Sequence, residues 1–489
     1  MNLFFSGHDE RYAVEQTLLT LFPDERPVYP DHDDPAADAL DLRFSVGPRW
    51  ATATAVLRRG GAVYRRQARV ASDRLPADDP VLATRLRRRT LQRAFYWAAV
   101  DALGAEPPWG MLSGVRPVKL PARAMAAGAT AAQAARELRE TYRVSPERCR
   151  LALDCAQASL DVQRSLRPEE ISLYVGIPFC PTRCAYCSFI SAAGQANLLI
   201  PDYLTALLQE LDAAGRAVRA AGRTVRTVYV GGGTPTTLSA DQLAALLARL
   251  RAAFPLVPGA ECTVEAGRPD TISREKLLAI RDSGGTRISI NPQTLSDDVL
   301  ARIGRSHRAE DIVRAYELAR DVGGFAVNMD LIAGLPGDDR AGFAETLRRV
   351  RAMGPENVTV HTLALKRGAR LRQEDQDRPD GAAVRQMLDA AWSDLRADGY
   401  VPYYLYRQKF TAGALENVGW CLPGTRNEYN ICMMEELHPV LSLGAGGVTK
   451  AVGAGCVRRL ANPKYPQEYL RDLPRILREK EQLATFLTP

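Results

Sequence analysis

The segment GIPFCPTRCAYCSF places three cysteines, Cys180, Cys184 and Cys187, at the spacing C-x3-C-x2-C. A buried free cysteine behaves as a small apolar side chain, and such residues occur singly at core positions. Three thiols within eight residues of one loop therefore do not fit core packing. Thiolates at this spacing indicate a metal centre or a redox site.

Three kinds of site could use these cysteines. A structural zinc site would need a fourth ligand at short range, but the next Cys is Cys262 and the next His is His307. A redox pair of Cys184 and Cys187 would leave Cys180 without a role. An iron–sulfur cluster takes thiolate ligands, and three of them leave one iron open. The residues favour a cluster over zinc, because the surrounding segments offer polar groups for a bound cofactor.

The elements that must position this loop alternate between short apolar strands and amphipathic helices, from Ile171 to about Arg372. The strand-like segments are ISLYVGI, TVRTVYV, ECTVEA, TRISINP, FAVNMDLIAG and ENVTVHTLAL. Six consecutive βα units predict a parallel sheet with helical crossovers, and they are fewer than the eight of a closed barrel. We therefore predict an α/β fold built on a partial (β/α)6 barrel, with its reactive groups where strands lead into helices.

Polar residues stand near the ends of several of these strands. The Gly-rich turn GGGTPT (231–236) follows the second strand, where missing side chains let a ligand approach the backbone. Glu265 ends the third strand, Gln293 the fourth, and Asp330 interrupts the fifth. A carboxylate in an apolar strand needs a partner. Ribose hydroxyls or an ammonium group would fit, and an ion pair with a nearby Arg is the alternative.

The segments outside the barrel predict two further domains. Residues 1–168 are expected to form an N-terminal α+β domain, because strand-like alternation surrounds an Arg59-Gly60-Gly61 turn and a helical pattern runs from Val81 to Leu103. Residues 169–375 contain the barrel, and residues 376–489 form a small C-terminal α/β extension. That extension contains a helix near Gly381–Gly399 and a terminal helix from about Pro466.

The composition predicts a cytoplasmic, multidomain globular protein. The chain has 489 residues, of which 46% are hydrophobic and 25% charged, enough for roughly two to four domains with their own cores. No apolar run approaches the ~20 residues of a membrane span, and the N-terminus lacks the pattern of a signal peptide. Nine cysteines are an odd number, which argues against a disulfide framework. No membrane partner is predicted.

The net charge of +7 is weak evidence for any partner. Only seven of the 64 basic residues are Lys, and the arginines are spread along the whole chain. Nucleic-acid binding would need basic residues on one face, so no nucleic-acid partner is predicted. The densest cluster comprises Arg85, Arg87, Arg88 and Arg89 and is expected to be the solvated face of an amphipathic helix.

The motifs, taken in order, resemble a known family. The Cys motif, with Tyr186 before its last cysteine, is similar to the signature of radical S-adenosylmethionine (SAM) enzymes. YVGIPFCPTRCAYCSF, GGGTPT, PQTLSDDVLARIGRSH and NMDLIAGLPG resemble the oxygen-independent coproporphyrinogen III oxidase family, and most closely its HemZ-type branch, also called coproporphyrinogen dehydrogenase. The similarity covers about Leu173 to Lys450, and PPWGMLSGVRP (107–117) resembles the same branch.

This resemblance implies a 4Fe-4S cluster on Cys180, Cys184 and Cys187, with SAM at the open iron. Cleavage of SAM would give a 5′-deoxyadenosyl radical that abstracts hydrogen from the substrate. No catalytic residue is implied beyond the cluster and the SAM site. The family's SAM-contacting positions fall on Tyr174, Tyr186, Gly232, Gly233, Thr234, Glu265, Gln293, Arg305, Asp330 and Ala364.

The implied activity is that of an oxidoreductase in porphyrin and haem biosynthesis. Two propionate side chains of coproporphyrinogen III would be oxidatively decarboxylated to vinyl groups, giving protoporphyrinogen IX. The implied partners are the porphyrinogen substrate and an electron donor such as flavodoxin or ferredoxin. Basic residues that could meet substrate carboxylates are Lys366, Arg367, Arg407, Arg426 and Lys450.

The sequence departs from the family at several points. Ser188 follows Cys187 where the well-studied oxidase branch soon has another Cys, Gly176 replaces a His, and residues 1–165 differ from that branch. A haem-binding chaperone of the same superfamily is therefore an alternative, as is a radical SAM enzyme with another substrate. The chaperones carry a His-Asn pair where this chain has Glu428-Tyr429-Asn430, which favours the enzyme. A zinc-stabilised binding protein is the third alternative.

Some of these residues have simpler interpretations. Arg305 in RIGRSH could hold the SAM carboxylate as a fork, or could be a surface charge at a helix end. His361 in VTVHTLAL is expected to be an ordinary, hydrogen-bonded strand histidine rather than a catalytic one. Cys149, Cys155 and Cys262 are expected to be core residues.

Overall fold

The computed structural model of the protein describes residues 1–76, 78–188, 192–366, 368–372, 378–453, 456–483 and 486. The chain forms two compact units. One consists of Met1–Leu153 with Arg407–Glu416, and the other of Asp154–Tyr406 with Asn417–Pro489. The predicted three-domain division, with boundaries after residues 168 and 375, stays a prediction.

The first unit is an α+β domain with a four-stranded sheet in the order β1-β2-β3-β4. Its elements are β1 (Asn2–Ser6), α1 (Arg11–Leu21), β2 (Ala39–Val46), β3 (Trp50–Arg59), β4 (Ala62–Ala71), α2 (Pro80–Leu103), α3 (Lys119–Ala126), α4 (Ala131–Arg136) and the start of α5 (Pro146–Ser165). β3 and β4 form a hairpin closed by Gly60 and Gly61, whose positive φ values suit a two-residue turn. The predicted turn and the predicted helix are confirmed.

One face of this sheet packs under α2. Every second residue of β3 is fully buried from Ala51 to Leu57, and Phe95 of α2 is fully buried in the same core. Asp79 caps the start of α2 by accepting from the backbone N–H of Leu82, and Gly104 ends the helix in the left-handed conformation. Arg88 lies on the exposed side of α2, as predicted for that cluster.

The PPWGMLSGVRP segment holds a buried polar cluster in the same unit. Trp109 is 1% exposed and donates its indole N–H to a Glu416 carboxylate oxygen at 2.6 Å. Arg148 contacts the other Glu416 oxygen at 2.9 Å. Arg407 stacks over the Trp109 ring and donates to the backbone carbonyls of Leu112 and Ala414. These contacts give the motif a structural role.

The second unit contains the barrel and the C-terminal elements. Its first elements are β5 (Glu170–Ile177), β6 (Phe179–Cys180), β7 (Ala192–Ala193), α6 (Ile200–Ala220), β8 (Thr224–Gly232), α7 (Ala240–Ala253), β9 (Leu256–Glu265), α8 (Arg274–Asp282), β10 (Arg287–Ser289), α9 (Asp297–Arg302), α10 (Ala309–Val322), β11 (Ala326–Ala333), α11 (Arg340–Met353) and β12 (Asn357–Thr362). The remaining elements are α12 (Gly381–Ala397), β13 (Val401–Arg407), β14 (Glu416–Cys421), α13 (Glu428–Glu435), β15 (Val440–Leu443), β16 (Val448–Gly453), β17 (Cys456–Ala461), α14 (Pro466–Arg471) and α15 (Leu473–Glu481).

The main sheet runs β13-β14-β12-β11-β10-β9-β8-β5-β15-β16-β17. The six predicted strands, β5 and β8 to β12, lie side by side and pair in parallel. Their apolar side chains are buried on both faces, as expected for parallel strands covered by helices. The predicted partial (β/α)6 barrel is confirmed. β14 pairs antiparallel with β12, and β15 extends the sheet parallel to β5.

The terminal helix predicted from Pro466 is interrupted at Asp472, and the chain continues as α15. Pro474 lies in the first turn of α15, where it has no N–H to donate to the carbonyl four residues earlier and its ring clashes with that carbonyl, so one continuous helix cannot run through it. Lys480 of α15 is 1% exposed and lies 3.2 Å from the fully buried Glu210 of α6. No helix in the described ranges is long and apolar enough to cross a bilayer.

Candidate active site

The cysteine loop follows β5, and its three thiols are partly exposed. Cys180 ends the short strand β6, and its Sγ accepts from the Thr234 hydroxyl at 3.4 Å. Sγ of Cys184 lies 3.7 Å from Nη1 of Arg268. Hydroxyl and guanidinium donors stabilise negative charge on sulfur, and hydrogen bonds of this kind also tune sulfur-ligated clusters.

Arg268 is a residue of the site that the sequence did not predict. Arg268 is 3% exposed, forms a bidentate pair with Asp270 at 3.1 Å, and also donates to the Thr182 hydroxyl at 3.0 Å. Arg268 therefore joins the loop after β9 to the cysteine loop. Its only sequence signal is its place three residues after Glu265, at the end of a strand.

Arg305 is buried beside the same loop, so the interpretation as a surface charge is wrong. It is 7% exposed and donates to the Asn291 carbonyl at 2.6 Å and to the Tyr186 hydroxyl at 3.2 Å. Burial opposes its charge, but Tyr186 and Cys184 raise the pKa of Arg305 overall. A permanent cation therefore faces the cysteine loop.

The Gly-rich segment forms a cradle at the ends of β5 and β8. β8 extends through Gly232, which pairs with Ile177 and has a φ of 108°. A Cβ on Gly233 would lie 2.6 Å from the Phe179 carbonyl oxygen, and one on Gly231 would lie 2.9 Å from the Glu265 carboxyl carbon. Glycine at these positions lets backbone and carboxylate approach each other closely.

Glu265 lies at this cradle. One oxygen accepts from the Tyr229 hydroxyl at 2.6 Å, and the other accepts from the Gly232 N–H at 3.2 Å. Burial raises the pKa of Glu265 to about 7, and the Asp330 charge contributes in the same direction. The carboxyl group therefore exchanges its proton near neutral pH, which is common for groups at functional sites.

Three tyrosine rings line the same place. The Tyr229 ring lies between Tyr174 at 6.4 Å and Tyr429 at 4.6 Å, and both pairs are stacked. The Tyr429 hydroxyl is buried without a hydrogen-bond partner among the described residues. Sequence reasoning noted Tyr429 for its position and missed its ring contact, because α13 is far from β8 in the chain.

Asp330 and Gln293 are joined through the backbone. Gln293 lies after β10 rather than ending it, has a φ of 66°, and donates its N–H to the Asp330 carbonyl at 2.9 Å. The Asp330 carboxylate accepts from Asn328 Nδ2 at 2.8 Å and lies 3.7 Å from His361. Among the described residues its partners are amide, hydroxyl and imidazole groups and not an arginine, so within those ranges the alternative of an Arg ion pair is wrong. Burial opposes ionisation, but His361, Asn328 and Thr359 lower the pKa of Asp330 overall.

A line of hydrogen bonds connects these strand ends. Thr359 donates to Asn328 Oδ1 at 3.0 Å, and Asn328 donates to the Ser289 hydroxyl at 2.8 Å. Ser289 donates to Asn291 Oδ1 at 2.7 Å, and the Asn291 carbonyl accepts from Arg305. The polar groups of β10, β11 and β12 are thereby linked to the cysteine loop.

The other residues that the sequence singled out lie in different parts of the structure. Ala364 lies two residues after β12 and is half-buried. Arg407, one of several candidates for meeting a substrate carboxylate, instead donates to backbone carbonyls in the first unit. Arg367 lies outside the described residues. Cys149, Cys155 and Cys262 are buried, as predicted for core residues.

The residues fit both cofactors that the resemblance implies. Gln293 Oε1 and Arg305 Nε are buried without a hydrogen-bond partner among the described residues, so they offer an acceptor and a donor to a ligand. As they stand, no three His, Cys, Asp or Glu side chains in those ranges are arranged to hold a metal ion. The fit of the cysteines to a cluster depends on their spacing and on the donors aimed at Cys180 and Cys184.

The chain that carries this site is similar to several known proteins. Residues 174–350 match the Radical SAM superfamily. The chain is 35% identical to the oxygen-independent coproporphyrinogen-III oxidase-like protein HemZ of Bacillus subtilis, over 94% of this chain and 93% of that protein. It is 29% identical to the haem chaperone HemW of Escherichia coli, over 62% of this chain and 76% of that protein.

A solved structure is also similar. Coproporphyrinogen III oxidase (HemN) from Escherichia coli, described as a radical SAM enzyme, superimposes with a TM-score of 0.53 and 26% identity. The similarity covers 65% of this chain and 72% of that chain.

Proposed function

The chain belongs to the family of HemZ-type, oxygen-independent coproporphyrinogen III oxidase-like radical SAM proteins, and on that basis we propose that it oxidatively decarboxylates coproporphyrinogen III to protoporphyrinogen IX. The observation that carries the proposal is the similarity to HemZ along 94% of the chain, the first unit included. Because that relative is named only as oxidase-like, the substrate is part of the proposal.

A 4Fe-4S cluster and SAM are the cofactors of this superfamily. Together they supply a 5′-deoxyadenosyl radical, which abstracts hydrogen from a substrate carbon. We propose Cys180, Cys184 and Cys187 as the residues that hold the cluster, with Thr234 and Arg268 donating toward their sulfurs. A flavodoxin or ferredoxin is the proposed electron donor.

The chain's own residues would bind and orient SAM. The Gly231–Gly233 backbone leaves room for close approach, and Glu265 and Asp330 offer carboxylates to an ammonium group and to ribose hydroxyls. Arg305 offers a carboxylate a buried cation and an Nε–H that is bonded to none of the described residues. The proposed SAM contacts are those predicted from the sequence, namely Tyr174, Tyr186, Gly232, Gly233, Thr234, Glu265, Gln293, Arg305, Asp330 and Ala364.

The proposed reaction balances for each propionate. Hydrogen is removed from its β-carbon and ends on 5′-deoxyadenosine. The bond to the carboxylate then breaks, CO2 leaves, one electron passes to a one-electron acceptor, and a vinyl group remains.

The test is anaerobic incubation of cluster-reconstituted protein with SAM, a reductant and coproporphyrinogen III. We expect protoporphyrinogen IX together with 5′-deoxyadenosine. Formation of 5′-deoxyadenosine without a vinyl product would contradict the substrate.

The haem chaperone is the second candidate, because HemW matches 62% of the chain. Its His-Asn pair has no counterpart here, since Glu428-Tyr429-Asn430 stands at that place and the Tyr429 ring is stacked on Tyr229. Stable binding of haem, combined with no product from coproporphyrinogen III, would favour the chaperone.

The cluster ligands are tested by Cys184→Ala, with the exposed Cys456 as a control (Cys456→Ala). A cubane needs its thiolate ligands, so we expect Cys184→Ala to lose most of the about four irons per chain and Cys456→Ala to keep them. Iron analysis and the visible absorbance of anaerobically purified protein measure this. Full iron content and SAM cleavage in Cys184→Ala would contradict the assignment.

A further inference from the structure

His361 lies beside Asp330, a proposed SAM contact, but is not itself among the residues predicted to contact SAM. In the parallel pair of β11 and β12, Thr359 is the neighbour of Asp330, and His361 follows two residues later. Alternate residues of a strand share a face, so the imidazole lies on the same side of the sheet as the Asp330 carboxylate. The His361 and Asp330 side chains are 24% and 20% exposed, so both reach a solvent-accessible space.

The imidazole is held from two sides. Its Nε2 lies 3.7 Å from Asp330 Oδ2, a distance that marks a Coulombic contact rather than a good hydrogen bond. Its Nδ1 lies 3.3 Å from the Tyr406 hydroxyl. The ring is thus placed between a carboxylate on β11 and a phenol on β13.

Tyr406 is itself fixed by packing. Its ring stacks on Tyr404 at 6.3 Å with an angle of 11° between the planes. The Tyr404 ring lies directly over Gly419 of β14, where a Cβ would come within 1.9 Å of the ring. Tyr404 therefore cannot be displaced toward that strand, and the His361 ring has a rigid support behind it.

His361 also lies among acidic and phenolic groups. The described titratable groups near His361 and Asp330 include Tyr406, Tyr404, Tyr229 and Glu265, and burial and the Asp330 charge raise the pKa of Glu265. Asn328 Nδ2 fixes the other Asp330 oxygen, Oδ1. Nε2 of His361 thus faces Oδ2, the Asp330 oxygen opposite the one that Asn328 contacts, and an N–H at that place orients the carboxylate.

We propose that His361, supported by Tyr406, is a positioning residue that orients the Asp330 carboxylate for bound SAM. An ionised, oriented carboxylate accepts more strongly from a hydroxyl or an ammonium group than a neutral or mobile one does. The inference rests on the proposed role of Asp330 toward SAM, and it does not depend on which porphyrinogen is the substrate.

The test compares SAM dissociation constants of anaerobic, cluster-reconstituted variants. His361→Leu removes the N–H group, His361→Gln keeps a side-chain N–H, and Tyr406→Phe removes only the supporting hydroxyl. His32, an exposed histidine of the first unit, provides the control His32→Gln. We expect His361→Leu to bind SAM about tenfold more weakly, Tyr406→Phe about threefold more weakly, and His361→Gln and His32→Gln to stay within about twofold of the unsubstituted protein.

Rescue by His361→Gln, with a urea unfolding midpoint shared by both His361 variants, would support positioning. The inference is overturned if His361→Leu binds SAM normally, or if both His361 variants lose SAM affinity and stability equally. A protein that binds SAM in this His361-dependent way but forms no vinyl product would refute the proposed substrate and leave the inference standing.

Discussion

At the scale of single residues, the pKa values of the two carboxylates of the site are shifted in opposite directions. The pKa of Glu265 is raised to about 7 by burial, whereas His361, Asn328 and Thr359 hold the pKa of Asp330 below its usual value despite burial. Neighbouring acids whose pKa values are pushed apart commonly take different roles at one site. Near neutral pH Asp330 is a permanent anion, and Glu265 is an anion only above about pH 7.

This difference predicts a pH dependence of SAM binding. SAM carries an ammonium and a sulfonium charge, so it favours the ionised Glu265. For a pKa of about 7, the ionised fraction falls about tenfold from pH 8 to pH 6, and SAM affinity should fall by a similar factor. Isothermal titration of the reconstituted protein at several pH values measures it.

Glu265→Gln is the control for this prediction, because the amide does not titrate. The amino group of SAM titrates equally with both proteins, so the ratio of the two affinities isolates Glu265. A ratio that stays constant between pH 6 and pH 8 would contradict the role of Glu265.

At the scale of elements, the site depends on how closely β5, β6 and β8 approach one another. The Gly233 N–H donates to the Ile177 carbonyl at 2.8 Å, and the Thr234 N–H donates to the Phe179 carbonyl at 2.7 Å. These hydrogen bonds attach the start of the cysteine loop directly to the Gly-rich cradle. The geometry has no room for a side chain at Gly233.

Gly233→Ala should therefore weaken both the fold and SAM binding. Its Cβ would lie 2.6 to 2.9 Å from backbone atoms of Phe179 and Ile177, which are not flexible side-chain ends. We expect a loss of about 1–3 kcal/mol in the free energy of unfolding, together with weaker SAM binding.

Urea unfolding and SAM titration measure these two effects. Gly114 has open space around it and provides the control Gly114→Ala. Stability and SAM affinity in Gly233→Ala equal to those of Gly114→Ala would show that the cradle does not require glycine.

At the scale of the whole molecule, the first unit is completed by a segment from late in the chain. Residues 407–416 belong to that unit, and Glu416 is fully buried there between Trp109 and Arg148. A buried carboxylate that loses a donor is costly, so the cluster fixes where this segment lies. The PPWGMLSGVRP motif is therefore a marker of this packing.

Trp109→Phe should loosen the first unit selectively. The substitution keeps most of the apolar volume but removes the N–H that donates to Glu416, at an expected cost of about 1–3 kcal/mol. Hydrogen–deuterium exchange should become faster in 107–117 and 407–416 and stay unchanged in β8 and β9. Trp50, 43% exposed, provides the control Trp50→Phe. Unchanged exchange in 407–416 would refute the role of Trp109.

The sequence predicted the barrel well because its signals are local. Six apolar strands alternate with amphipathic helices, and each strand carries its own polar residue near its end. It placed Gln293 on the fourth strand, but β10 ends at Ser289 and Gln293 has a positive φ. That error arose because a continuous apolar and polar pattern does not show where a ladder of hydrogen bonds stops.

By itself, the sequence determined the three-cysteine loop, the α/β barrel and the residue types at the strand ends, because spacing and periodicity are properties of neighbouring residues. The tertiary structure decided that Arg268 faces Cys184 and that Asp330 lies beside His361 rather than beside a described arginine. It also decided that Arg407 donates to backbone carbonyls inside the first unit. The partners in these contacts lie between 31 and 295 residues apart in the chain, so only the packing of strands and helices brings them together.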